Sequence, residues 1–225
     1  MRIGSRIAIA VLAVIAATGI AAAKEWKTVR IGTEGAYAPF NFFDSDKQLQ
    51  GFDVDIAKAV CEKMRVECTF VAQDWDGIIP ALQAGKYDAI FASMSITDER
   101  KKVIDFSNKY YDVPSAFFAP KDSGITDSSP EALKGKVLGA QSSTIQANHL
   151  EENYKDSEIK LYPTQEEVNL DLVAGRIDAL LVDKLVGVDW VEKTEDGKCC
   201  AQAGADVPLG GGVGAGVRQE DQDLK

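Results

Sequence analysis

One segment of this chain occurs twice, and that repeat limits the fold more than any other feature. ALQAGKYDAIFAS at 81–93 aligns with DLVAGRIDALLVD at 171–183, so that Gly85, Asp88 and Ala89 match Gly175, Asp178 and Ala179. In each copy the glycine is placed to end a helix, and the apolar run that follows reads as a buried strand. The alignment sets Ser93 and Asp183 at equivalent strand ends. Glu34 and Gln141 likewise end the first strand of each half.

Strand and helix patterns alternate on both sides of the repeat. In the first half TVRIGTE reads as a strand, DVDIAKAVCEKM as a helix, ECTFVA as a strand, WDGIIPALQAG as a helix and YDAIFASMS as a strand. In the second half GKVLGAQ, EIKLYP and IDALLVD read as strands, and TIQANHLEENY, QEEVNLDLVAG and KLVGVDWVEKT as helices. This order predicts an α/β fold with mostly parallel sheets flanked by helices. Ligands of such sheets bind beyond the carboxyl ends of the strands. Two matched sheets facing each other therefore predict a cleft with polar residues on both rims. NKYYDVPSAFFAP reads as a crossing between the halves, and PLGGGVGAGVR as the return crossing. The glycines of the latter have no strand–turn–helix context, which excludes a dinucleotide loop. DSDKQLQG (44–51) lacks the later acids of a calcium loop and reads as a solvated turn.

The first residues have the pattern of an export signal. Arg2 and Arg6 precede an apolar run from Ile7 and the small residues Ala21-Ala22-Ala23, which places a cut after Ala23. No cysteine stands at the cut to carry a lipid. Without those two arginines there are 23 basic against 35 acidic side chains, a charge of −12, which disfavours nucleic acid and anionic lipid. Export permits disulfides. Cys61, at the end of one expected helix, and Cys68, at the start of the next strand, are placed to pair. The adjacent Cys199 and Cys200 bridge only through a strained ring, so free thiols or a labile link are expected. A single histidine, His149, and no second ligand pair argue against zinc.

SMSITDER (93–100) carries the first chemical signal. Thr97 reads as a helix cap, with Asp98 and Glu99 in the first turn, where acids are favoured. Arg100 falls in the same turn, where a cation is disfavoured, just downstream of Ser93 and Ser95. An anion bound from outside accounts for it.

TVRIGTEGAYAPFNF, GFDVDIAKAVCEKM, DWDGIIPALQAGKYDAIFASMSITDERKKVIDFS and LDLVAGRIDALLVD together resemble the periplasmic solute-binding proteins of polar and basic amino-acid ABC importers. The similarity is to the lysine/arginine/ornithine-, histidine- and opine-binding branch of solute-binding protein family 3. The resemblance implies a two-lobed, type II periplasmic binding fold joined by hinge strands, in the periplasm and monomeric. It implies a signal peptide at 1–23, a first lobe at 24–112, a second at 113–209 and a return to the first at 210–225.

In such proteins the residue matching Arg100 grips the ligand's α-carboxylate, with backbone groups near Ser95 and with Thr144 reaching it from the other lobe. Asp183, with the Ser93 region opposite, is expected to take the α-ammonium. Tyr37 and Trp75 are expected to sandwich the side chain, and Glu34 to meet a distal ammonium or guanidinium. Phe52 and Asp53 are expected to support the first lobe, and Ala92 stands where some relatives carry Ser.

The implied ligand is arginine, ornithine or lysine, or an arginine-derived opine. The implied partner is a membrane ABC permease, with a chemoreceptor as a second candidate. No cofactor or metal is implied. Exported dehydratases of arogenate or prephenate share the fold and form the enzyme alternative, with Glu34 as its acid. The final RQEDQDLK reads as the first turn of a helix where the family continues further, so exposed apolar surface on the first lobe and reduced stability or activity are expected.

Overall fold

The computed structural model describes residues 25–225, so the leader read at 1–23 lies outside the described residues. The first lobe begins with β1 (Thr28–Thr33), followed by the short strands β2 (Ala36–Tyr37), β3 (Asn41–Phe43) and β4 (Leu49–Gln50). Next come α1 (Phe52–Met64), β5 (Glu67–Ala72), a 3-10 turn at Trp75–Gly77, α2 (Ile78–Gln83), β6 (Ala89–Ile90), α3 (Asp98–Lys101) and β7 (Asp105–Phe106). The second lobe holds β8 (Ser115–Pro120), β9 (Val137–Gln141), α4 (Ile145–Asn153), β10 (Glu158–Tyr162), α5 (Gln165–Val173), β11 (Ala179–Asp183) and α6 (Lys184–Lys193). A 3-10 turn at Asp196–Cys199 leads into β12 (Cys200–Val207), and β13 (Gly216–Val217) returns to the first sheet.

The two five-stranded sheets have matching orders, β5-β1-β6-β13-β7 and β10-β9-β11-β8-β12. Ile31 pairs in parallel with Ala89, and Leu138 with Ala179. In each sheet the fourth strand is antiparallel and comes from the far side of a crossing: β8 follows the first lobe, and β13 follows the second. The crossings run side by side, joined by a bridge between Tyr111 and Val213.

The repeat has a physical basis. Gly85 and Gly175 both adopt left-handed backbone, φ 72° and 68°, which glycine takes without a Cβ clash. The next residue then closes the same bond in each copy, Lys86 N–H to the Ala81 carbonyl and Arg176 N–H to the Asp171 carbonyl. Asp88 and Asp178 each accept a backbone N–H from the neighbouring strand, from Arg30 at 3.0 Å and from Val137 at 2.7 Å. Apolar cores lie behind each sheet: Ile31, Ile78, Leu82, Tyr87 and Ile90 in the first lobe, Phe117, Leu138 and Leu150 in the second, all fully buried. Each such side chain contributes about 1.5–3 kcal/mol through burial.

Several expectations need correction. YDAIFASMS is a strand only at Ala89–Ile90, because Ser93 turns left-handed at φ 50°. WDGIIPALQAG is divided into the 3-10 turn and the short α2. The crossing segment supplies a full buried strand, β8. Residues 44–51, by contrast, form the expected solvated turn, organised by Asp44 Oδ1, which accepts the N–H groups of Asp46 and Gln48. RQEDQDLK forms turns rather than a helix, fastened by Arg218, which donates to the carbonyls of Leu82 and Tyr87 and pairs with Asp88. Cys61 and Cys68 are disulfide-bonded as expected. Of the two alternatives for Cys199 and Cys200, free thiols or a link, the structure has the link, at the seam where the 3-10 turn becomes β12. On the first lobe an apolar groove is lined by Val60, Met64, Tyr110 and Leu224, with Val60 and Met64 about two-fifths exposed (40% and 39%).

Candidate functional site

The carboxyl ends of the two sheets face each other across a narrow hollow. It is lined by Glu34, Tyr37, Trp75, Ala92, Ser93, Ser95, Arg100, Gln141, Thr144, Ile145, Gln146 and Asp183. All eight residues expected at the site from the sequence therefore reach one pocket, and they come from both lobes.

Arg100 is held by the short helix α3. Thr97 caps it, accepting the Arg100 N–H at 3.1 Å. The helix has only four residues, so Arg100 stands in its last turn as well as its first. A clash with the helix dipole is therefore not what marks this residue. Its surroundings mark it instead. The guanidinium donates to the Ser95 carbonyl at 2.9 Å and to the Ser143 carbonyl at 3.2 Å, and lies over the Trp75 ring at 5.2 Å from its centroid. Among the described residues it forms no ion pair. Burial lowers its pKa to about 10, with Asp183 pulling the other way.

Asp183 ends β11 and starts α6, yet its side chain makes no capping bond. The carboxylate lines the hollow, where it accepts from Gln146 Nε2 at 2.7 Å, with the Tyr37 hydroxyl nearby. Burial raises its pKa to about 7, against the lowering effect of Tyr37, Gln146 and the charge on Arg100. The Tyr37 hydroxyl is itself pushed up, first by burial and then by Asp183.

Glu34, at the end of β1, accepts from Gln141 Nε2 at 2.6 Å, and Gln141 also donates to the Pro163 carbonyl at 3.1 Å. Burial raises Glu34 to about 7, with Gln141 lowering it and Asp74 and Asp76 raising it. Trp75 is buried, and its indole N–H donates to the Ser143 carbonyl at 3.1 Å.

Ser93 lines the hollow but is heavily engaged within its own lobe. Its N–H donates to Asp53 at 2.7 Å, and its hydroxyl lies 2.5 Å from the Tyr111 hydroxyl. Asp53 is the strut beneath it, buried and also bonded to Tyr110 and Asn41. Thr144 caps α4, accepting the Ala147 N–H at 3.0 Å and donating to the Gln141 carbonyl at 2.7 Å. Its hydroxyl proton is therefore already committed, and what faces the hollow is the start of a helix with its free N–H groups.

Gln146 and Ile145 were not expected at the site, and Gln141 was noted only as a strand end. Their signal was position: Ile145 and Gln146 fall in the first turn after a capped Thr, which the fold aims at the cleft. His149 lies apart, on the outer side of α4 beside Asn153.

A sequence profile described as bacterial extracellular solute-binding proteins, family 3, matches residues 29–225. The L-arginine-binding protein of Pseudomonas aeruginosa is 44% identical over 205 residues, covering 88% of this chain and 78% of its own. The octopine-binding periplasmic protein of Rhizobium meliloti is 40% identical over 238 residues, covering 95% and 80%. An ancestral arginine-binding protein solved with arginine superposes with a TM-score of 0.82 at 36% identity, covering 88% of this chain and 87% of that one. With these likenesses along nearly the whole described length, the chain belongs to the bacterial extracellular solute-binding proteins, family 3.

Proposed function

We propose that this protein captures a basic amino acid, arginine, ornithine or lysine, or an arginine-derived opine, between its lobes and delivers it to a membrane ABC permease. The observation that carries this reading is the charge inventory of the hollow. One guanidinium with no ion-pair partner among the described residues faces it, together with two carboxylates, the partly buried Glu34 and the buried Asp183, that are met mainly by neutral donors. A zwitterion with a second, distal cation supplies the complementary set. Arg100 takes the α-carboxylate, helped by backbone N–H groups at the start of α4. Asp183 takes the α-ammonium, with Ser93 and Ser95 opposite. Trp75 and Tyr37 flank the aliphatic stem, and Glu34 takes the distal cation. Thr144 acts as the cap that orients the α4 N-terminus.

Residues 1–23 are read as a signal peptide cleaved near Ala23, which puts the mature protein in the periplasm, as the names of its relatives do for them. The lobes are read as 24–112 and 113–209, with 210–225 returning to the first. The chain is read as a binder and not an enzyme, because its relatives are binding proteins and the hollow is arranged as a clamp. Incubation with arogenate or prephenate tests the enzyme alternative, and any turnover defeats the binder reading. A thermal-shift screen of the full amino-acid set plus opines tests the ligand class. The largest shifts are expected for arginine, ornithine, lysine or an opine; a preference for acidic or apolar amino acids contradicts the assignment.

A further inference from the structure

A second set of contacts joins the lobes outside the hollow. Asp76, in the 3-10 turn after β5, accepts the Ser142 hydroxyl at 2.9 Å and 3.0 Å through its two oxygens. Next to it, the Ser143 carbonyl accepts both Trp75 Nε1 at 3.1 Å and Arg100 Nη2 at 3.2 Å. None of Asp76, Ser142 and Ser143 lines the hollow. Ser143 is left-handed, φ 58°, a conformation that costs a serine free energy and that persists where surrounding contacts hold it. Here those contacts are with the opposite lobe: the left-handed turn presents the carbonyl to two first-lobe donors at once.

We propose that Asp76 and the Ser142–Ser143 pair form a latch that determines how long ligand stays enclosed, without touching the ligand. A bound molecule leaves only when the lobes part, and parting them breaks these bonds as well as the ligand's own. The latch therefore acts on dissociation and leaves the choice among ligands unchanged. This inference rests on the amino-acid-binding reading above.

The test is stopped-flow release of L-arginine, followed by intrinsic Trp fluorescence, from wild type, Asp76→Ala, Ser142→Ala and the double variant, with thermal melts to confirm folding. Each single change should speed release roughly three- to tenfold, as expected for a partly solvated bond to a carboxylate. The double variant should be no faster than either single one, since both remove one interaction. The ranking of arginine, lysine and ornithine should not move. Ser143→Gly, which accepts the backbone angle and keeps the carbonyl, should release no faster than wild type, whereas Ser143→Val should release faster. Unchanged release rates, additive effects of the two alanines, or a reordered ligand ranking overturn the latch. Small-angle scattering of the ligand-free proteins separates the two failures. If wild type takes up no amino acid, the binding reading falls, and the latch is then judged by compactness alone. Wild type more compact than Asp76→Ala supports it, and superimposable curves overturn it.

Discussion

The Gln141 amide reaches from the end of β9 in one lobe to the Glu34 carboxylate at the end of β1 in the other, 2.6 Å away. These are equivalent strand ends of the two repeated halves, so the pseudo-symmetry of the fold brings them together. The amide is a neutral donor in the place where a cationic ligand group fits, and Glu34→Gln removes the charge while keeping the shape. We expect that variant to bind arginine and lysine at least tenfold more weakly while changing glutamine binding by less than threefold, on the scale of one charged hydrogen bond. Calorimetry with the three ligands is the check; equal losses for all would show that Glu34 does not meet the distal cation.

Arg100→Ala and Asp183→Ala remove the two groups that hold the amino-acid backbone. Each should weaken binding by two or more orders of magnitude, since each leaves a buried charged partner unmet in the complex. Folding should survive, because the Arg100 guanidinium forms no ion pair among the described residues and the Asp183 side chain does not cap α6. Circular dichroism melts alongside calorimetry distinguish lost binding from lost structure.

Acidification should weaken binding. Burial in the cleft raises both Glu34 and Asp183 to about 7. A cationic ligand favours their ionised forms, so binding below about pH 7 must expel protons. Affinity should fall as pH drops from 8 to 5, with about one to two protons released per ligand, measurable by calorimetry in buffers of different ionisation enthalpy. The same shifts act oppositely on the empty protein. Carboxyls whose folded pKa lies above the unfolded value bind more protons folded than unfolded, so ligand-free stability contributed here declines as pH rises from about 4 to 7. Ligand should remove that decline.

Asp88 gives the reverse behaviour. Burial pushes it up, but hydrogen bonds from Arg30 and Arg218 outweigh this and hold it at about 2. Its contribution is complete above the ordinary carboxylate range and disappears as pH falls through about 2. Asp88→Asn should cost about 1.5 kcal/mol at pH 7 by removing the charge that Arg30 and Arg218 share, while Arg218 keeps its pairs with Asp221 and Glu220. The deficit relative to wild type should shrink between pH 4 and 2 in urea melts.

The Cys61–Cys68 disulfide closes a short loop between α1 and β5. Replacing both by Ser should lower stability by about 2.5 kcal/mol in the chain-entropy view, read as a lower urea midpoint with ligand preference unchanged.

Much of this was legible beforehand because it is local or repeated. The Gly85/Gly175 turns, the Thr97 cap and the apolar strands follow from residue type and spacing, and the repeat placed Ser93, Asp183, Glu34 and Gln141 at strand ends. What stayed hidden depends on distance along the chain. Asp76 and Ser142 look like two solvated polar residues until the lobes close. Gln146 reads as an ordinary helix residue, because its partner Asp183 is 37 positions away. β12 was missed because CAQAGADV is rich in small residues, and it is a strand through pairing with β8 rather than through its own preference.

The twin crossings also dictate an order of assembly. Every strand of the second sheet lies between residues 115 and 207, whereas the first sheet needs β13, at 216–217, wedged between β6 and β7. On a chain emerging amino end first, the lobe that begins the sequence is the later one to be finished, and until then β7 has no neighbour to bond.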